Sequence, residues 1–81
     1  RWDDAEAALR RAQDSEPRNA ELRTAVGRVA FARGQYERAT REFLAALELD
    51  PAFVPALLDL GEVSLMAGRA NAAEQSFRRA V

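Results

Sequence analysis

Ser15, Ser64 and Ser76 are hydroxyls that could serve as nucleophiles, but a serine needs a neighbouring base, and the chain contains no histidine. With no cysteine either, the usual ligands of a zinc site and the thiolate–imidazole pair are both missing. Asp3 and Asp4 are paired carboxylates in sequence. Adjacent helix positions point in different directions, so the pair reads as a solvated acidic first turn favoured by the helix dipole. Gly34 and Gly68 are not set in a GxGxxG or GK[ST] context that would cradle phosphate. Trp2 and Tyr36 read as packing residues more readily than as stacking platforms. No catalytic residue, no cofactor-binding residue and no metal ligand is therefore assigned, and no enzyme activity is expected from these residues.

The same positions make more sense as parts of a repeat. "YERATREFLAALELDP", from Tyr36, echoes "WDDAEAALRRAQDSEP" 34 residues earlier and "ANAAEQSFRRAV" near the other end. Ala5, Ala39 and Ala73 coincide at this offset, as do Leu9, Phe43 and Phe77, and Ala12, Ala46 and Ala80. Pro17 falls on Pro51. A second phrase, "AELRTAVGRVAFARG" from Ala20, recurs as "VPALLDLGEVSLMAG" from Val54, so that Gly27 matches Gly61 and Gly34 matches Gly68. A fixed period in this range marks a stacked-repeat architecture.

Each unit resolves into two helices. Leu22, Ala25, Val26, Val29 and Ala30 recur at three- and four-residue steps, which is one buried helical stripe. Asn19 is suited to cap its start, and Gly34 to end it in the left-handed conformation. A second helix runs from about Gln35 to Leu49, with Tyr36, Ala39, Phe43, Ala46 and Leu47 on one side, and Asp50-Pro51 breaks it. A third element starts near Pro55 and is expected to stop at Gly68. A fourth is expected to open at Asn71, with Glu74 completing a capping box. Residues 1–15 form a further helix of the second type. Five helices joined by short loops are thus expected, each antiparallel to the next. Gly27 and Gly61 are both expected at close helix crossings. The whole chain reads as a single domain (1–81): the second helix of a partial repeat (1–17), a full repeat (18–51) and a nearly full one (52–81). Beginning within a repeat is what a piece of a longer repeat protein would show.

Composition narrows the function classes. An apolar content of 48% with 31% charged residues describes a foldable chain, and the net charge of −1 gives no field that would draw nucleic acid or anionic lipid. No apolar run approaches the ~20 residues that span a bilayer. All 12 basic residues are arginine, which with the abundant alanine suggests a GC-rich, bacterial source. Nothing in the sequence fixes a compartment.

The combined signature resembles the tetratricopeptide repeat. The matching residues are Leu60-Gly61, Gly34 and Gly68 at the turns, Ala39 and Ala73, Phe43 and Phe77, Ala46 and Ala80, and Pro17 and Pro51. The family's aromatic early in the first helix is replaced by Arg23 and Leu57, its tyrosine one turn later by Ala30 and Ser64, and the aromatic opening the second helix by Ala70 in the last copy. The pentatricopeptide repeats that bind RNA have a 35-residue period and a basic surface, and fit less well.

The resemblance implies an all-α solenoid of about two and a half repeats and a non-catalytic scaffold for protein interaction. First helices would line a concave groove that takes a peptide or partner helix. By matching position that groove presents Glu21, Thr24, Arg28 and Phe31 from one helix and Pro55, Leu58, Glu62 and Leu65 from the next, with Asp59 and Met66 at the edge. The subgroup that clamps chaperone C-termini uses lysines and asparagines where this chain has Thr24, Arg28, Pro55 and Asp59, so that function is not expected. An apolar patch edged by carboxylates suits a partner segment with an apolar anchor and a basic residue; alternatively, these apolar residues pack on a following repeat. Other readings are a recruiting arm of an enzyme whose catalytic domain lies elsewhere, and end-to-end self-association through Trp2 and Leu9 at one end and Phe77, Ala80 and Val81 at the other. Protein or peptide partners are expected, without nucleic acid, membrane insertion or cofactor.

Overall fold

A computed structural model describes the backbone of residues 2–80 and the side chains of residues 2–69. Among the described residues four helices follow in order: α1 (Trp2–Ser15), α2 (Ala20–Ala32), α3 (Tyr36–Leu49) and α4 (Val54–Ala80). The fold is all-α, and successive helices pack on one another, with α4 also touching α2.

The helix ends follow the local chemistry. Asn19 caps α2, its side-chain oxygen accepting from the Leu22 N–H at 3.2 Å. At the other end Gly34 takes φ +77°, the left-handed region that favours glycine. There the Gly34 N–H donates to the Phe31 carbonyl and the Gln35 N–H to the Ala30 carbonyl, both at 2.9 Å. This pair of bonds is the Schellman arrangement, and it satisfies carbonyls that the helix end would otherwise leave open. Phe31 and Tyr36 clasp the turn from outside, ring centroids 5.7 Å apart. Asp50, extended at φ −144° before Pro51, ends α3, and its carboxylate accepts from the Ala52 N–H at 3.2 Å.

The core lies where α2, α3 and α4 meet. Phe43 is fully buried and shares a cluster with Ala30, Ala39 and Val63, with Leu60, Phe31 and Tyr36 packed around it. Gly27 lets α2 approach α3 closely: a Cβ there would lie 2.5 Å from Phe43 Cε1 and 2.7 Å from Cδ1. α1 contributes no fully buried residue. It is held by Glu6, whose carboxylate accepts from Arg33 at 2.8 Å and Arg38 at 3.1 Å. The Arg33 hydrogen bond, reinforced by the charge of Arg38, outweighs partial desolvation and holds the Glu6 carboxyl below its ordinary value of 4.5.

Two expectations are corrected. No turn forms at Gly68, and no new helix opens at Asn71: α4 runs unbroken from Val54 to Ala80, and Gly68 keeps a negative φ. The third and fourth elements of the repeat are thus one helix. The reason lies in what flanks the glycine. Gly34 sits between Phe31 and Tyr36, whose contact favours the reversal; the same positions around Gly68 are Leu65 and Ala70. Alanines on both sides favour continuing the helix, and one glycine inside it costs only about 1 kcal/mol. The expected part of the Glu74 side chain in a cap lies outside the described side chains. Gly61, in turn, is helical and exposed but at no crossing: among the described residues nothing lies within 4 Å of a Cβ built there. Once α4 runs straight on, no second helix returns to cover it.

Candidate functional site

Glu21, Thr24 and Arg28 recur at three- and four-residue steps on α2, which sets them on one face. With Phe53 and Pro55 they line a cleft of about 350 Å³ between α2 and the start of α4. A neighbouring cleft of about 580 Å³ shares Glu21 and Phe53 and continues past Glu16, Arg18, Asn19, Ala20, Leu49 and Asp50. The two form one shallow channel across the loop ends of α2 and α3. Phe53, which sequence reasoning did not place here, forms a wall of both. Its signal was its position, an aromatic residue immediately before a helix start.

The groove candidates play unequal parts. Thr24 is only 2% exposed, and its hydroxyl donates to the Ala20 carbonyl at 2.9 Å. It offers a wall, not a free donor. Phe31 is half-buried and occupied with Tyr36 and the core. Leu58, Glu62 and Leu65 fall at four- and three-residue steps on one face of α4. Leu58 is 69% exposed and Leu65 63%, and Glu62 is also exposed. Met66, at the edge, is half-buried.

Arg28 and Asp59 join the two helices. Arg28 Nε lies 2.6 Å from Asp59 Oδ2. An ion pair this exposed contributes at most about 1 kcal/mol, but it changes what the surface offers. The guanidinium that could have received a ligand carboxylate already has a carboxylate partner. Glu21 and Glu62 remain without a salt-bridge partner among the described residues. Along the channel the carboxylates of Glu16, Glu21 and Asp50 outnumber the guanidiniums of Arg18 and Arg28, a slight negative excess.

Within the described residues no group of three or more His, Cys, Asp or Glu side chains could hold a metal ion. No helix among them is long and apolar enough to cross a membrane.

Comparison with known families gives the same architecture that the packing displays. A family model described as Tetratricopeptide repeat matches residues 1–52 and again residues 24–81. No curated protein and no solved structure matches the chain. The two overlapping matches together cover every residue, and the chain belongs to the tetratricopeptide repeat family.

Proposed function

We propose that this protein is a non-catalytic interaction scaffold that binds an extended or helical segment of a partner protein along the α2/α4 surface. Tetratricopeptide repeats generally mediate protein–protein interactions, and one observation gives that role its chemistry here. Leu58 and Leu65 stand exposed on α4, which walls the cleft at Pro55; Arg28 in that cleft is already paired with Asp59, while Glu21 and Glu62 are not paired among the described residues. Desolvating an apolar anchor against the leucines supplies affinity. The unpaired carboxylates favour a basic residue on the partner and disfavour an acidic one, and so supply specificity and association rate more than affinity. A carboxylate-ended ligand is a poor fit for the same reason.

The test uses a displayed library of peptides carrying a leucine or phenylalanine anchor with either arginine or glutamate one helical turn away. Arginine peptides should be enriched. Glu62→Arg should reverse the preference while the far-ultraviolet circular dichroism stays helical. Enrichment that ignores peptide charge, or binding lost only on changing the opposite side of the array, would refute the reading.

A further inference from the structure

Among the described residues two flanks of the array are open, and they are the two halves of one repeat. In the complete pair α2 packs on α3: Gly27 lies under the Phe43 ring, Arg23 pairs with Glu42 at 3.4 Å, and Ala30, Ala39 and Ala46 are fully buried. One repeat on, α4 carries the α2 side of this contact, with Leu57, Gly61 and Ser64 at the positions of Arg23, Gly27 and Ala30. There the stripe is bare. Val54 is 57% exposed and Leu57 48%, Ser64 and Gly61 are exposed, and nothing among the described residues lies within 4 Å of a Cβ built on Gly61. This stripe lies roughly a third of a turn from the core face of Ala56, Leu60 and Val63.

One repeat back, α1 carries the α3 side. Ala5, Leu9 and Ala12 hold the positions of Ala39, Phe43 and Ala46, and Ala8 that of Glu42. α3 is covered by α2 on one flank and α4 on the other, whereas α1 lies against α2 and reaches α3 through the Glu6–Arg38 ion pair. Ala5, Leu9 and Ala12 are accordingly left partly exposed where their counterparts are fully buried, and Ala8 and Trp2 are exposed. The two bare surfaces match each other. Where the α2–α3 contact carries the Arg23–Glu42 ion pair, both positions are apolar, Leu57 and Ala8, so neither surface strands a charge against the other. Val54, Leu57, Gly61 and Ser64 on one side, and Ala5, Ala8, Leu9 and Ala12 on the other, include no charged side chain.

We propose that copies of this chain stack head to tail, α1 of one copy lying antiparallel along residues 54–67 of another copy's α4 in the register that α2 and α3 already show. Leu9 then lies over Gly61, Ala8 against Leu57, and Trp2 beside Leu65, as Tyr36 stands beside Phe31. Residues 70–80 run on beyond the paired stretch and take no part in it. The contact joins unlike surfaces, so each stack keeps one of either kind free and grows as a continuous helical array. It also brings α2 of the second copy beside α4, as α4 lies beside α2 within one chain, and so covers Leu58, the counterpart of the 2%-exposed Thr24. A peptide held at Leu58 therefore competes with a second copy, but stacking needs no peptide, and it forms or fails whether or not the groove binds one.

Light scattering over a concentration series, with no ligand added, reads the assembly. The mass should climb from 9.0 kDa through twice that value and beyond. Gly61→Trp blocks the α4 surface, where the described residues leave open space, and Ala8→Arg blocks the α1 surface at an exposed position, so both chains should keep their helical circular dichroism. Each should raise the concentration at which the mass climbs by at least about tenfold. Mixed together, they should form a species of two copies and no more, because each still carries the surface that the other needs. Register is tested by Leu57→Arg, which should abolish stacking. Adding Ala8→Glu to the same chain supplies the Arg–Glu pair of the α2–α3 contact and should restore growth. A monomer at all concentrations, a plateau at two copies for the unaltered chain, growth indifferent to Gly61→Trp, a mixture of the two blocked chains that stays monomeric, or a Leu57→Arg chain that Ala8→Glu does not rescue would each overturn the proposal.

Discussion

Gly27 and Gly61 occupy the same position of the repeat, and alanine at the two should act in opposite directions. At Gly27 the new Cβ would sit 2.5 Å from Phe43 Cε1, 2.7 Å from Cδ1 and 3.1 Å from Cζ. Real Cβ atoms do not approach ring carbons so closely, and Phe43 has nowhere to go because it is fully buried among Ala30, Ala39 and Val63. Either the ring leaves its rotamer or α2 and α3 move apart. Overpacking of this kind costs about 1–3 kcal/mol, and a contact this short belongs at the upper end. Alanine gains about 1 kcal/mol of helix propensity over glycine, so Gly27→Ala should be destabilising by about 1–2 kcal/mol net. At Gly61 nothing among the described residues meets the Cβ, and the propensity gain of about 1 kcal/mol should appear whole. For a domain of this size each kcal/mol moves the midpoint by roughly 4–8 °C. Thermal unfolding followed by circular dichroism should separate the variants by about 10 °C or more, with the wild type between them. Equal shifts of the same sign would refute the close crossing at Gly27, the open face at Gly61, or both.

Three further outcomes can be checked with the same protein. Phe43→Ala empties the centre of the core and should cost about 3–5 kcal/mol, a large part of the stability of so small a domain, so a midpoint shift of one or two degrees would contradict its placement. Glu6 has a folded-state pKa below its unfolded value, so its contribution to stability is present above about 4.5 and is lost as the pH falls through the lowered value; the difference in midpoint between wild type and Glu6→Gln, clear at pH 7, should shrink steadily as the pH is lowered below 4.5, and a gap independent of pH across that range would rule out the Arg33 and Arg38 ion pairs as its source. Asp59→Asn should free Arg28 and raise binding of acidic peptides relative to basic ones in the display experiment, with little change in melting because the pair is exposed; an unchanged ratio would show that Arg28 does not face the ligand.

Much of the fold was written in local chemistry. Asn19 as a cap, Gly34 as a left-handed stop and Asp50-Pro51 as a break are each decided by a few adjacent residues, and each appears where the sequence places it. Phe43 at the centre of the core follows from helical spacing together with the repeat, because only a residue facing both neighbours can recur at that position. Gly68 shows the limit. As a residue it equals Gly34, but whether a glycine reverses the chain depends on whether the reversal brings apolar surfaces together. Phe31 and Tyr36 provide that contact across one turn, whereas Leu65 and Ala70 offer less to gain than the continuing helix does. The surface divides in the same way. The resemblance to the repeat family singled out Glu21, Thr24 and Arg28 on α2 and Leu58, Glu62 and Leu65 on α4, and helical spacing puts each trio on one face. That Thr24 commits its hydroxyl to Ala20, that Asp59 reaches Arg28, and that Phe53 walls the channel depend on where two helices come to lie, with Arg28 and Asp59 31 residues apart in sequence. Such distances are fixed by packing, which no run of adjacent residues encodes by itself.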